Sequence, residues 1–142
     1  MFEITHFRHY SDERKEYGMP GFLARWGATG YGMYWYVLER LYFAVDRKVD
    51  FNEQEAHLMA SDMGISKRRV IKIIKSLAAH GLIRMTGSLI NSDRVEREVV
   101  EICAMRERRR QAASVAGKAS AKARQRKTQF VDSQPEKVRR TK

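Results

Sequence analysis

Between residues 67 and 76 the chain sets Lys67, Arg68, Arg69, Lys72, Lys75 and Ser76 at helical spacing. Ammonium and guanidinium groups neutralise phosphates, and a guanidinium fork can also donate two hydrogen bonds to the O6/N7 edge of guanine. At about 100° per residue, counted from Lys67, the cations Arg68, Lys72 and Lys75 fall between roughly 80° and 140°. Val70, Ile73, Ile74 and Leu77 fall between roughly 240° and 340°, almost opposite. A segment divided in this way docks on a protein body by one face and offers the other to a polyanion. The remaining chemistry-bearing residues form no such pattern. His6 and His9 are three apart with no acid or thiol cluster to complete a metal site, and His57 and His80 stand alone. No nucleophile stands at motif spacing from a base. The glycine-rich run Gly27-Ala28-Thr29-Gly30-Tyr31-Gly32 is not followed by Lys-Ser/Thr, so it is not read as a phosphate loop. No catalytic residue, metal or cofactor is assigned, and an enzyme is not expected.

The cationic helix needs a turn that delivers it. Ala60 sits four residues before Gly64, and Gly64 six before the β-branched Val70. Small Ala60 permits close helix approach, and Gly64 can take the left-handed turn of a helix-turn-helix. Ser66 is an N-cap candidate. Lys67 and Arg68 then lie in the first turn, where the helix dipole disfavours cations and an arriving phosphate would relieve them. Asn52 with Glu53 and Glu55 marks the start of the preceding helix, which runs to about Met63, and Gly81 ends the recognition helix after His80. Leu82 to Met85, a turn at Thr86-Gly87-Ser88, and Leu89 to Asn91 read as a β-hairpin. A hairpin in that place is the wing of a winged helix, with Arg84, Thr86 and Ser88 as candidate contacts to the flanking backbone.

Upstream, a short helix covers Phe22 to Trp26 and stops at Gly27. Thr29 caps an aromatic helix from about Gly30 to Ala44. Its Tyr36 and Phe43 share a side with Glu39 and Arg40 and need a cover: the last helix, an N-terminal arm carrying Phe2, Ile4 and Phe7, or a second subunit in a homodimer. The last helix opens at Ser92-Asp93 and carries one stripe, Val95, Val99 and Ile102, through about Met105.

Charge separates two regions. The chain holds 28 Lys+Arg and 17 Asp+Glu, net +11. Residues 1–102 carry 15 basic and 14 acidic groups, whereas residues 103–142 carry 13 and 3. The expected organisation is a winged-helix domain over 1–105 and a basic low-complexity tail over 106–142, either a helical extension or disordered. The fold class is mainly α. In the tail, Arg108, Arg109, Arg110, Lys118, Lys122, Arg124, Arg126 and Lys127 would hold phosphates without reading sequence. One cysteine, Cys103, rules out a disulfide framework. No apolar run reaches the ~20 residues of a membrane span, and no signal-peptide pattern opens the chain, so a cytoplasmic protein is expected.

Several stretches resemble one family. Gly27-Ala28-Thr29-Gly30-Tyr31-Gly32-Met33-Tyr34-Trp35-Tyr36-Val37-Leu38-Glu39 is similar to the aromatic segment of the N-terminal winged-helix domain of phage and prophage replication-initiation (DnaD-like) proteins. The opening His6-Phe7-Arg8-His9-Tyr10-Ser11-Asp12, the helix-turn-helix from Leu58 to Ile83, the step Leu89 to Val95 and the run Ala116-Gly117-Lys118 resemble the matching parts of that domain. The resemblance implies binding of double-stranded DNA by the winged helix. Long members carry a second domain, for which a chain ending at Lys142 has no room, so helicase loading is not carried over and an accessory or regulator is expected. Three alternatives stand beside this reading. One is a transcriptional regulator with the same DNA contacts. Another is a module that docks a host or phage replication protein through Tyr36 and Phe43. The third is RNA binding, mainly by the tail.

Overall fold

The computed structural model describes Lys15 and residues 17–132. The arm residues Phe2, Ile4 and Phe7, the histidines His6 and His9, and the whole His6–Asp12 motif lie outside the described residues. The order of elements is α1 (Met19–Phe43), β1 (Val49–Asp50), α2 (Glu53–Met63), α3 (Lys67–Ala79), β2 (Arg84–Thr86), β3 (Leu89–Asn91) and α4 (Asp93–Asp132). The fold is mainly α, winged-helix-like, with a small antiparallel sheet. The chain divides into two units, one ending at Val100 and the other starting at Glu101.

In the first unit the predicted signals act where they were read. The Asn52 side chain accepts from the Glu55 amide at 2.9 Å, and the Ser66 hydroxyl accepts from the Arg69 amide at 3.3 Å. Each satisfies one of the orphan amides of a first helical turn. Gly64 takes the left-handed conformation (φ 63°, ψ 32°), and the Ile65 amide returns to the Ala60 carbonyl at 3.0 Å. That geometry ends α2 and turns the chain into α3 within three residues. Val70, Ile73, Ile74 and Leu77 are each fully buried, so the apolar face of α3 is the one that periodicity indicated.

Two expectations about α1 are corrected. The first helical piece begins at Met19, not Phe22; it ends at Gly27 (φ 55°, ψ −144°), as read, but helix resumes at once rather than at about Gly30. Thr29 therefore lies inside α1 and caps nothing. Met33, Tyr34, Val37, Leu38, Leu41 and Tyr42 are all buried, on more than one side of the helix. The aromatic richness of α1 reflects this central position in the core.

The hairpin pairs Arg84 with Asn91, Met85 with Ile90 and Thr86 with Leu89 across a two-residue loop, Gly87-Ser88. Val49 and Asp50 add a third strand on the far side of β3, opposite Ile90 and Leu89. This strand was not legible in the sequence, because two residues carry no periodicity. Its pairing is prolonged by the Phe51 amide, which donates to the Ser88 carbonyl at 2.7 Å.

Within the first unit α4 contributes buried Val95, as expected, and also buried Glu98, which was not expected. Glu98 accepts a hydrogen bond from the Tyr42 hydroxyl, and burial followed by that bond pushes the pKa of Tyr42 far above its ordinary range. Arg94 donates to the Tyr34 hydroxyl at 3.1 Å and lies 5.0 Å from the centre of the Trp35 ring. Polar ties thus replace part of the expected apolar stripe between α4 and α1. Beyond Met105 the helix continues to Asp132, so of the two forms the sequence left open for the tail, the described part takes the helical extension. Ala, Arg, Lys and Gln dominate that stretch, and all are strong helix formers.

Candidate nucleic-acid interface

The site is the outward face of α3. Arg68, Arg69, Lys72 and Lys75 are exposed there. Among the described residues no carboxylate forms an ion pair with any of them. Ile71, half-buried, borders the cations at roughly 40° on the same wheel. It was not singled out in the sequence, because an isoleucine next to a core stripe reads as core. An apolar side chain there suits the methyl group of thymine, and a guanidinium suits guanine. The first turn of α3 contains no acid, so its dipole and its cations present positive potential together.

Lys67 is different. It forms an ion pair with Glu53 at the start of α2, which lowers the pKa of that carboxyl through the hydrogen bond first and charge attraction second. The pair spans the helix-turn-helix and draws Lys67 toward α2. Ser76 is corrected outright. Only 7% exposed, it belongs to the buried side of α3 rather than to the cationic face. His80 Nδ1 lies 2.8 Å from the Ser76 carbonyl, to which it donates, and 3.4 Å from the Ser76 hydroxyl. Its border position near 180° on the helical wheel left it equally open to either side.

On the wing, Thr86 and Ser88 are exposed as expected. Arg84 is not a bare cation: it pairs with Asp93 at 2.6 Å and with Glu96 at 3.3 Å. Both acids open α4, where the helix dipole favours them, and Arg84 is drawn to them. A phosphate would have to compete with two carboxylates for it.

In the second unit Arg108, Arg109, Lys118, Lys122, Arg124, Arg126 and Lys127 are exposed, and Arg110 pairs with Glu107 at 3.2 Å.

The aromatic candidates part company. The Tyr36 hydroxyl donates to Asp62 at 2.5 Å and, beside the Arg40–Glu55 ion pair, ties α1 to α2. Phe43 is 65% exposed. Burial first, then the bond to Asp62, pushes the pKa of Tyr36 from 10.0 up to about 12. The folded value lies above the unfolded one, so the stabilisation is complete below about pH 10 and is lost as pH climbs through about 12. Tyr36→Phe is expected to remove that part of the alkaline destabilisation, read as the denaturation midpoint against pH. Superimposable profiles for the two proteins would disprove the coupling.

Among the described residues no group of three or more His, Cys, Asp or Glu side chains is placed to hold a metal, and no helix is long and apolar enough to cross a membrane. No curated protein and no solved structure matches the chain. One family model does, that described as Lin1244/Lin1753-like, N-terminal, and it matches residues 6–94. The matched stretch contains α1, the helix-turn-helix, the hairpin and the opening of α4. By that match, the chain belongs to the Lin1244/Lin1753-like family.

Proposed function

We propose that this protein binds double-stranded DNA through α3, as a DNA-binding protein of phage or mobile-element type acting in replication initiation or as an accessory regulator. One observation carries the reading. Four cations, Arg68, Arg69, Lys72 and Lys75, stand exposed and unpaired among the described residues on a helix whose opposite face is wholly buried. A surface helix has no structural need for four uncompensated cations, whereas a helix set against phosphates and guanine edges does. Thr86 and Ser88 supply hydroxyl donors for the flanking backbone, and the basic second unit supplies affinity without sequence preference. The replication role rests on the resemblance of the aromatic segment and helix-turn-helix to DnaD-like initiators, and a transcriptional regulator would use the same contacts.

Salt dependence tests the division of labour. If about six phosphates are neutralised, log K is expected to fall with log salt at a slope of roughly −5. Deleting residues 106–142 is expected to flatten the slope while leaving the preference between DNA sequences intact, measured by titration at several salt concentrations. A truncated protein that no longer distinguishes any sequence would remove readout from α3.

A further inference from the structure

The second unit carries a surface of its own. From Arg106 to Gln129 every residue of α4 is exposed. Between Arg108 and Gln129 the helix bears eight Lys or Arg residues and no carboxylate. Glu107, the nearest acid, is occupied by Arg110 at 3.2 Å. At about 100° per residue these eight cations leave no gap wider than roughly 100° around the helix. The residues between them are Ala, Ser, Gly, Gln and Thr, with a single larger apolar side chain, Val115.

That distribution discriminates between partners. A helix lying on a membrane needs an apolar face opposite its cations, and a helix packing on another protein needs an apolar stripe. Neither is present among these residues. A flat anionic surface would engage one side and leave the other cations repelling one another. Cations on all sides are matched by a concave partner with phosphates on both walls. The major groove of B-form DNA, about 12 Å wide, admits an α-helix, whereas the deep groove of A-form RNA is too narrow for one. Ala112, Ala113, Ala116 and Gly117 keep the middle of the helix slim, so the backbone can sink between the walls. We propose that residues 106–129 are a second DNA-binding element, a basic helix that crosses the major groove of duplex DNA with its cations on both phosphate walls. This deepens the reading of the basic second unit as a source of DNA affinity and rests on it, but not on the reading of α3. With no packed face, the segment is held helical by propensity alone against its own charge repulsion, and neutralisation by phosphate is expected to raise its helix content.

The test silences α3 and keeps the full chain. In an Arg68→Glu/Lys72→Glu background, binding is measured to a mixed-sequence DNA duplex and to the same duplex with bulky glucosyl groups on its cytosines, which fill the major groove and leave the phosphates unchanged. About tenfold weaker binding to the modified duplex is expected. Adding Lys118→Gln, Lys122→Gln, Arg124→Gln and Arg126→Gln is expected to weaken binding to the plain duplex by about tenfold or more and to abolish the gain in far-ultraviolet helix signal. These four residues are exposed and glutamine keeps helix propensity, so the fold is not at stake. Equal binding to plain and modified duplex would reduce the contact to phosphates and overturn the proposal. So would equal or tighter binding to an RNA duplex or to phosphatidylserine vesicles. Failure of the α3 reading is a separate result: the α3-silenced and native chains would bind the plain duplex alike.

Discussion

Reversing two charges on α3, Arg68→Glu together with Lys72→Glu, is expected to weaken binding to the preferred DNA duplex by about 10²- to 10⁴-fold at ~0.15 M salt. Each phosphate or base-edge contact is worth about 1–3 kcal/mol, and each reversal also adds repulsion where attraction stood. Two such changes amount to about 3–5.5 kcal/mol, at about 1.4 kcal/mol per tenfold. The loss belongs to binding and not to folding. Both side chains are exposed and free of ion pairs among the described residues, and surface changes of that kind shift stability by about 0.5 kcal/mol or less. The unfolding midpoint is therefore the control and titration of labelled duplex the readout. Arg84→Ala provides the contrast. Arg84 is engaged by Asp93 and Glu96, so its loss is expected to cost far less affinity than loss of Arg68. If the α3 double variant binds with native affinity and native preference, α3 is not the reading helix, and a protein-docking role through exposed Phe43 becomes the reading to pursue.

The largest stability effect is expected at Gly18, not at the better-known turn glycine, Gly64. Both hold left-handed backbone, at φ +84° and +63°. A side chain in that conformation costs about 1–2 kcal/mol. At Gly64 that is the whole cost, because an added Cβ meets nothing within 4 Å. At Gly18 an added Cβ would lie 2.1 Å from the His80 carbonyl oxygen. That oxygen is backbone at the end of α3 and cannot rotate aside. Forcing it away adds an overpacking cost of about 1–3 kcal/mol. Gly18→Ala is thus expected to destabilise by about 2–5 kcal/mol and Gly64→Ala by about 1–2 kcal/mol. For a unit of this size, 1 kcal/mol moves Tm by about 4–8 °C, so Gly18→Ala should lower Tm by more than about 8 °C. Tryptophan fluorescence is the suitable probe, since Trp26 and Trp35 both lie in α1 and the long helix of the second unit would dominate a far-ultraviolet signal. Equal Tm shifts for the two variants would show that the first turn of α1 yields where it meets His80. Because Gly18 opens α1 and His80 closes α3, this contact also locks α3 onto the body from which its cations project.

The signals that were legible are the short-range ones. Asn52 and Ser66 cap because their side chains reach amides three residues away. Gly64 turns the chain because its own φ permits it. Val70, Ile73, Ile74 and Leu77 share a face because of the helical repeat, and the outward position of Arg68, Lys72 and Lys75 follows from the same repeat. The errors lie where that repeat is indifferent. Ser76 stands on the border between the faces and turns inward. Val49 and Asp50 are too few to show alternation and become a strand only because β3 has a free edge.

Sequence alone therefore determined the helix-turn-helix, the hairpin after it, the uneven charge of the two regions and the mainly α class, since each depends on residues a few positions apart. Tertiary structure alone decided which charges remain free. Lys67 is taken by Glu53, Arg84 by Asp93 and Glu96, and the α4 stripe acquires Glu98 because Tyr42, 56 residues earlier, presents a hydroxyl to it. An ion pair or a buried hydrogen bond is a meeting of two distant segments, and only the packed chain brings them within reach. What it leaves unpaired on α3, Arg68, Arg69, Lys72 and Lys75, is the face on which a function can be tested.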